Sequence, residues 1–192
     1  MRILIISDSH GYGLAGALVR LDSEIQVRTV SVSSTMDRVW LQYQEELSDL
    51  QAFRPEYVCM HMGHNDVVWH AHHNTQPKHP RIVQSLVMGY QGQIQKDFPG
   101  SIVWVSCLFP RIVGPKMDQR RMDDYNRMVY QYGCDMRETF PPRGIKFFLN
   151  SSLWFSPGQG RVHGVFLRSD GLHLSHVGSD AAAKQWLEKM RK

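Results

Sequence analysis

The chain has 192 residues, of which 42% are hydrophobic, and it carries a formal net charge of +4. This length suits one domain with a full-sized core, and no apolar run approaches the length that spans a membrane. No signal peptide opens the sequence and the three scattered cysteines lack Cys-x-x-Cys spacing, so we expect an intracellular protein with free thiols. The mild basic charge fits either a solvated surface or attraction to the phosphates of nucleic acid or anionic lipid.

Apolar runs alternate with segments of helical spacing along the chain. The apolar runs, which are typical of buried strands, cover residues 3–6, 57–62, 102–109 and 145–149. Alternation of apolar and polar residues predicts a further strand over 24–32. Helical spacing covers 12–22, a segment capped at Thr35 or Asp37, 82–98, 118–136 and a last segment that starts at Ser175 or His176. This alternation predicts an α/β fold, a three-layer α/β/α sandwich around a five-stranded parallel sheet. We interpret residues 1–192 as one domain, which a longer parent protein can contain, with irregular loops at 69–80 and 150–169.

Three polar clusters follow strands or precede the last helix. They are residues 7–11 (Ser-Asp-Ser-His-Gly), 63–66 (Gly-His-Asn-Asp) and 170–173 (Asp-Gly-Leu-His). The carboxyl ends of parallel strands converge at one edge of a sheet, where open α/β sheets bind ligands, so we expect the first two clusters to be neighbours. The third cluster lies in the last loop and can fold back over them. Together they supply the hydroxyl, imidazole, carboxylate and amide that acyl transfer requires.

In this order and at these separations, the three clusters resemble the motifs of the SGNH/GDSL hydrolase family. Residues 108–111 (Leu-Phe-Pro-Arg) are similar to a strand end in the platelet-activating-factor acetylhydrolase branch of that family. The resemblance covers nearly the whole chain. It implies the flavodoxin-like SGNH hydrolase fold and a metal-independent serine esterase that needs no cofactor.

The resemblance also implies a role for individual residues. Ser9 would be the nucleophile that forms an acyl-enzyme, His173 the general base and Asp170 the group that orients the imidazole. The backbone N–H of Ser9 and the amide of Asn65 would hold the oxyanion. The family has a glycine after the second strand as a further donor, and here we assign the backbone N–H of Ser34 to that place.

Other polar residues near these clusters receive supporting roles. His10 and His64 flank the site, and we predict that they shape the substrate pocket. Asp8 is expected to accept backbone N–H bonds that brace the serine turn, and Asp66 to support the neighbouring amide. His176 is a competing base, although the family spacing favours the histidine three residues before it.

A rival hypothesis uses the first cluster differently. Residues 5–11 also resemble the opening of a calcineurin-like metallophosphoesterase, in which Asp8 and His10 would be metal ligands. Against this, residues 63–66 transpose the middle pair of that family's Gly-Asn-His-Asp block, and its closing Gly-His-x-His block is missing. A catalytically inactive module that binds lipid or RNA is the third alternative.

The expected substrate is a short-chain, acetyl-type ester, an O-acetyl or phospholipid-related compound, because no large lid domain is evident. Residues 150–169 hold several apolar side chains, which either pack in the core or form a rim that contacts acyl chains or a membrane surface. The chain also resembles the esterase domain in the first open reading frame of LINE-type retrotransposons, which implies RNA association through a parent protein. The histidines of 69–80 are more typical of a solvated loop than of a zinc site. The sequence leaves the oligomeric state open.

Overall fold

A parallel sheet forms the centre of the protein. The computed structural model describes residues 1–67, 78, 80–111, 119–141, 144–156, 159–171 and 173–192, so the predictions for His70, His72, His73 and His79 lie outside the described residues. The strands are β1 (Arg2–Ser7), β2 (Gln26–Ser31), β3 (Tyr57–His61), β4 (Ile102–Ser106) and β5 (Lys146–Phe148). All pair in parallel, in the order β2-β1-β3-β4-β5. The predicted five-stranded parallel sheet is confirmed.

Helices connect these strands and cover the sheet. They are α1 (Gly11–Leu21), α2 (Met36–Phe53), α3 (His64–Val67), α4 (Pro80–Asp97), α5 (Gln119–Thr139) and α6 (His176–Met190). Right-handed crossovers place α1 on one face of the sheet and α2, α4 and α5 on the other. Helix α6 packs against α1, and α2 stacks Trp40 on Tyr90 of α4 with ring centroids 4.3 Å apart. None of the helices among the described residues combines the length and apolarity that a bilayer crossing requires.

The position of β1 explains why polar residues meet at its end. The apolar side chains at positions 3–6 are fully buried, because β1 lies between β2 and β3 with helices on both faces. In register, Ser7 lies beside Ser31 on one side and His61 on the other. The chain runs outward from β1 to β2 and then returns across β1 to β3, so the loops after β1 and β3 diverge. A crevice at such a topological switch point is where open α/β sheets bind ligands.

The segment predicted as an irregular loop over 150–169 contains regular structure. A 3₁₀ turn (Ser151–Leu153) leads into an antiparallel pair, β6 (Trp154–Ser156) and β7 (Arg161–Val162), and a second 3₁₀ turn covers Gly164–Phe166. Its apolar side chains divide between the core and the surface. Leu153 is fully buried, whereas Val165 is 64% exposed.

Asn150 anchors the start of that segment. It adopts a left-handed conformation with φ of 55° and is fully buried. Its Oδ1 accepts from Nε1 of Trp186 at 2.8 Å, and its Nδ2 donates to Oγ of Ser106 at 2.7 Å. A buried amide that satisfies both its donor and its acceptor joins α6 to the end of β4.

Candidate active site

Ser9 lies in the tight turn between β1 and α1. The turn is closed by the Gly11 N–H, which donates to the Asp8 carbonyl at 3.3 Å, and α1 starts at this glycine. The side chain of Ser9 is partly buried, and its Oγ lies 2.9 Å from Nε2 of His173. A contact between residues 164 positions apart in the chain therefore brings a hydroxyl and an imidazole together at the switch point.

A short hairpin presents the imidazole. Leu167 and Leu174 form an antiparallel bridge, and the N–H of Arg168 donates to the carbonyl of His173 at 2.8 Å. The turn closes through the Gly171 N–H, which donates to the carbonyl of residue 168 at 3.0 Å. This glycine has φ of +71°, a conformation that side-chain-bearing residues rarely adopt.

Asp170 fixes both the backbone and the ring of His173. Its Oδ1 accepts the N–H of His173 at 3.0 Å, and its Oδ2 lies 2.8 Å from Nδ1 of the same residue. Both side chains are partly exposed, at 43% for the aspartate and 34% for the histidine, so small molecules can reach them. The result is a continuous carboxylate–imidazole–hydroxyl array, the arrangement in which a base can remove the hydroxyl proton.

Two of the predicted oxyanion donors, Asn65 and Ser34, lie in loops that a hydrogen bond joins. Asn65 lies in α3, directly after β3, and its Nδ2 donates to the carbonyl of Ser34 at 2.8 Å. This bond brings the loops after β2 and β3 together. The N–H of Ser34, however, donates to the carbonyl of Val32 at 2.7 Å. That amide is engaged within its own loop in this structure, and its role as an oxyanion donor stays a prediction.

The structure places His64, predicted to shape the substrate pocket, in the interior, and it is not among the described residues that line the cavity. The residue is 1% exposed, and both ring nitrogens are engaged. Its Nδ1 lies 2.9 Å from Oδ2 of Asp8, and its Nε2 accepts the N–H of Phe109 at 2.7 Å. An amide can only donate, so Nε2 is unprotonated and the neutral ring carries its proton on Nδ1. Burial, reinforced by the Arg111 cation, holds the pKa of His64 well below its ordinary value.

Two further imidazoles complete a buried layer beneath Ser9. Burial and the neighbouring His64 lower the pKa of His61 to about 3 and hold that of His10 well below its ordinary value. The ring of His10 is 6% exposed and lies 5.3 Å from the ring of His173. The imidazole of His173 therefore lies beside the uncharged ring of His10.

Comparisons with known proteins identify the fold of the chain. No protein-family model matches the chain, and no curated protein matches it. Solved structures match over nearly its whole length. A protein assigned as an acylhydrolase from Bacteroides fragilis has a TM-score of 0.73 at 13% identity, covering 99% of this chain and 86% of its own. The chain has the SGNH hydrolase fold.

Two further structures share this SGNH fold. A GDSL-like lipase from Bacteroides thetaiotaomicron has a TM-score of 0.70 at 14% identity, covering 99% of this chain and 86% of its own. An acetyl xylan esterase has a TM-score of 0.67 at 16% identity, covering 98% of this chain and 99% of its own. The matches named here give no support to the retrotransposon part of the resemblance.

The rival metal site does not fit the observed side chains. Within the described residues, the one group with metal-ligand geometry is Asp8, His61 and His64, whose ligand atoms lie within 4.8 Å of one another. His10, the predicted second ligand, is not part of it. All three members are buried, and the hydrogen bonds of His64 occupy both of its ring nitrogens. Asp8 instead acts as a brace, because its carboxylate also accepts the N–H of His10 at 3.4 Å.

Asp66 connects the loops on the other side of the site. Its fully buried carboxylate accepts the N–H of Met36, the first residue of α2, and Nζ of Lys78, each at 2.8 Å. Lys78 also lies 3.3 Å from Asp37. As expected, Asp66 supports the loop that carries the adjacent Asn65, but it does so by tying α3 to the start of α2.

A cavity of about 230 Å³ opens beside Ser9. Its lining residues are Ser9, His10, Tyr12, Gly13, Arg168, His173, Leu174 and Ser179. The prediction that His10 shapes the pocket agrees with this lining. Sequence reasoning missed Arg168 as a lining residue. Its signal in the sequence is its position two residues before Asp170, and an arginine on the solvated surface could occupy that position equally well.

Proposed function

We propose that this protein is a metal-independent serine esterase that hydrolyses short-chain carboxylic esters of the acetyl type. The observation that carries the proposal is the continuous array in which Ser9 lies 2.9 Å from His173, which lies 2.8 Å from Asp170. The solved structures with this fold include an acetyl xylan esterase and a GDSL-like lipase, and this supports ester hydrolysis as the reaction class.

In the proposed mechanism, Ser9 attacks the ester carbonyl while Nε2 of His173 accepts the hydroxyl proton. Asp170 keeps the proton of the imidazole on Nδ1 and stabilises the imidazolium that forms. The tetrahedral intermediate carries its negative charge on the former carbonyl oxygen, which the N–H of Ser9 and the amide of Asn65 stabilise. His173 then gives its proton to the departing alcohol, leaving an acyl group on Ser9.

Water completes the cycle by the reverse sequence of proton transfers. His173 accepts a proton from the attacking water and returns it to Oγ of Ser9 as the acid leaves. The ring of His10 beside His173 supports these proton transfers, because burial holds the pKa of His10 well below its ordinary value. An uncharged His10 does not repel the imidazolium form of His173 that each half-reaction creates.

A short acyl group is the substrate that the cavity favours. Its volume of about 230 Å³ lies below the range of about 300–1,000 Å³ that is usual for pockets binding drug-sized ligands. An acetyl ester with a small alcohol fits such a space better than a long acyl chain.

The decisive experiment compares ester hydrolysis by the wild type, Ser9→Ala and a matched control. Ser23→Ala alters an exposed serine in the turn between α1 and β2. With p-nitrophenyl acetate in the presence of EDTA, we expect wild type and Ser23→Ala to be equally active and Ser9→Ala inactive. Mass spectrometry of quenched wild type should find one acetyl group on the peptide that contains Ser9.

Longer p-nitrophenyl esters and p-nitrophenyl phosphate separate the alternatives. We expect kcat/KM to fall as the acyl chain lengthens from acetate to octanoate. Phosphatase activity that EDTA abolishes and that Ser9→Ala retains would establish the metallophosphoesterase instead. Absence of both activities, with no labelling of Ser9 by a fluorophosphonate, would favour an inactive binding module.

A further inference from the structure

Arg168 occupies a fixed position on the wall of the cavity. It lies on the hairpin that presents His173, and its backbone N–H donates to the carbonyl of that histidine. Its Nε–H donates to the carbonyl of Leu174 at 3.1 Å, which holds the base of the guanidinium against the cavity wall. The two Nη groups extend beyond this anchor. Among the described residues, no carboxylate lies within ion-pair distance of Arg168.

The other described residues that line the cavity carry no negative charge that would neutralise this cation. None of the described lining residues is acidic. Gly13 and Ser179 belong to the first turns of α1 and α6, and neither helix has an acidic residue in its first turn. Helix N-termini carry positive partial charge, so these two ends add to the positive potential that Arg168 creates. Burial holds the pKa of His10 well below its ordinary value, so this ring adds no charge to the cavity.

The position of Arg168 also determines which part of an ester it meets. In the proposed mechanism, Nε2 of His173 donates its proton to the departing alcohol, so that alcohol lies next to the histidine. Arg168 is paired with His173 across the hairpin and lines the same cavity. A group attached to the alcohol can therefore reach the guanidinium while the acyl carbon lies at Ser9.

We propose that this cavity contains an anion subsite around Arg168, which selects esters whose leaving alcohol carries a carboxylate or phosphate group. The inference rests on the proposed esterase function and names its substrate class. The Nη groups of Arg168 have no hydrogen-bond partner among the described residues, and such a guanidinium binds either anion through paired N–H donors. The serine hydroxyl of Ser179 and the phenol of Tyr12 provide further hydrogen-bonding groups in the lining.

The test uses two esters of matched shape, 4-acetoxybenzoate and its methyl ester, which differ in the charge of the leaving group. We expect the wild type to favour the anionic ester, and Arg168→Gln to reduce the ratio of the two kcat/KM values about tenfold, the effect of one charge-assisted hydrogen bond. Arg168→Lys should retain part of the preference. Arg161→Gln, which removes an exposed cation outside the cavity lining, is the matched control and should leave the ratio unchanged.

A second measurement needs no variant and so is independent of folding. 4-Hydroxybenzoate should inhibit the wild type competitively and more strongly than methyl 4-hydroxybenzoate, and added salt should weaken this inhibition. Comparing 4-hydroxybenzoate with 2-hydroxyethyl phosphate distinguishes carboxylate from phosphate as the preferred anion.

Three outcomes would overturn the inference. The first is a ratio of the two kcat/KM values that is the same in wild type and Arg168→Gln. The second is a reduction of this ratio in Arg161→Gln as large as that in Arg168→Gln, which would indicate long-range attraction only. In both cases, Ser9-dependent hydrolysis of the methyl ester would leave the proposed function intact. The third is a wild type that hydrolyses neither ester and acquires no acetyl group, and this result would overturn the esterase function itself together with the subsite.

Discussion

Oδ2 of Asp8 lies 2.9 Å from Nδ1 of His64, and this bond joins the segments that follow β1 and β3, next to the turn that carries Ser9. Both side chains are almost fully buried. The same carboxylate accepts the backbone N–H of His64 at 3.3 Å and that of His10 at 3.4 Å. One carboxylate thus fixes the serine turn and the loop that carries Asn65 relative to each other.

Replacing Asp8 by asparagine should lower the free energy of unfolding by about 2–3 kcal/mol, because an amide group would then face buried N–H donors. Urea denaturation measures this change. Asp180→Asn is the control, since this aspartate pairs with Arg20 on the exposed surface, and we expect a change of less than about 1 kcal/mol. Equal effects of the two substitutions would contradict the bracing role of Asp8.

The buried histidines should make the protein less stable in mild acid. Burial lowers the pKa of His61 to about 3 and those of His10 and His64 well below 6.5, whereas all three regain ordinary values in the unfolded chain. As pH falls below about 6.5, only the unfolded state binds these protons. Each histidine therefore reduces the free energy of unfolding by about 1.4 kcal/mol per pH unit, until its folded-state pKa is reached.

Urea denaturation between about pH 7 and pH 5 tests this dependence. His61→Phe should reduce the slope of the free energy of unfolding against pH by the equivalent of about one bound proton. His176→Gln, at an exposed position, should leave this slope unchanged. A slope that is the same in wild type and His61→Phe would show that this imidazole titrates normally in the folded protein.

His173 and His176 lie three residues apart, and only the first should be needed for catalysis. His173→Gln removes the base that faces Ser9 and should reduce kcat by about 10³-fold or more, whereas His176→Gln should retain full activity. Asp170→Asn should reduce kcat by a comparable factor, because an amide favours the wrong tautomer of the imidazole. Steady-state kinetics with p-nitrophenyl acetate gives these values, and a larger loss in His176→Gln would reassign the base.

Asn65 should contribute to the transition state rather than to substrate binding. Asn65→Ala should lower kcat by about 10²-fold with little change in KM, as expected for the loss of one oxyanion donor. Ser34→Ala should have little effect, because alanine keeps the backbone N–H that donates to the carbonyl of Val32 and the serine side chain has no proposed role. A rise in KM alone for Asn65→Ala would assign the amide to substrate binding instead.

Two glycines near the hairpin that carries His173 should respond differently to alanine. A Cβ on Gly178 would lie 2.0 Å from the carbonyl oxygen of Phe166, whereas a Cβ on Gly164 would meet nothing within 4 Å. Gly178→Ala should therefore push the hairpin away from α6, reducing stability by about 1–3 kcal/mol and lowering kcat with it. Gly164→Ala should remain near wild type in thermal denaturation and in activity, and the reverse order would contradict the packing described.

Much of the fold could be predicted because it depends on local patterns. The buried strand β1 follows from four consecutive apolar residues, and the pairing of Asp170 with His173 follows from their spacing within one turn. The helical turn at 64–67 was missed, since four residues give too little periodicity to recognise a helix. The pair β6 and β7 was missed for a similar reason, because strands of two or three residues leave no alternation to detect.

The sequence by itself determined the order of the elements, the parallel sheet and which polar clusters reach its edge, because hydrophobic periodicity and turn residues act over a few positions. Only the tertiary structure decided how those clusters are used. It turned His173 toward Ser9, enclosed His64 between Asp8 and a backbone amide, and occupied the N–H of Ser34. These outcomes depend on burial and on hydrogen bonds between residues far apart in the chain, which no local pattern encodes.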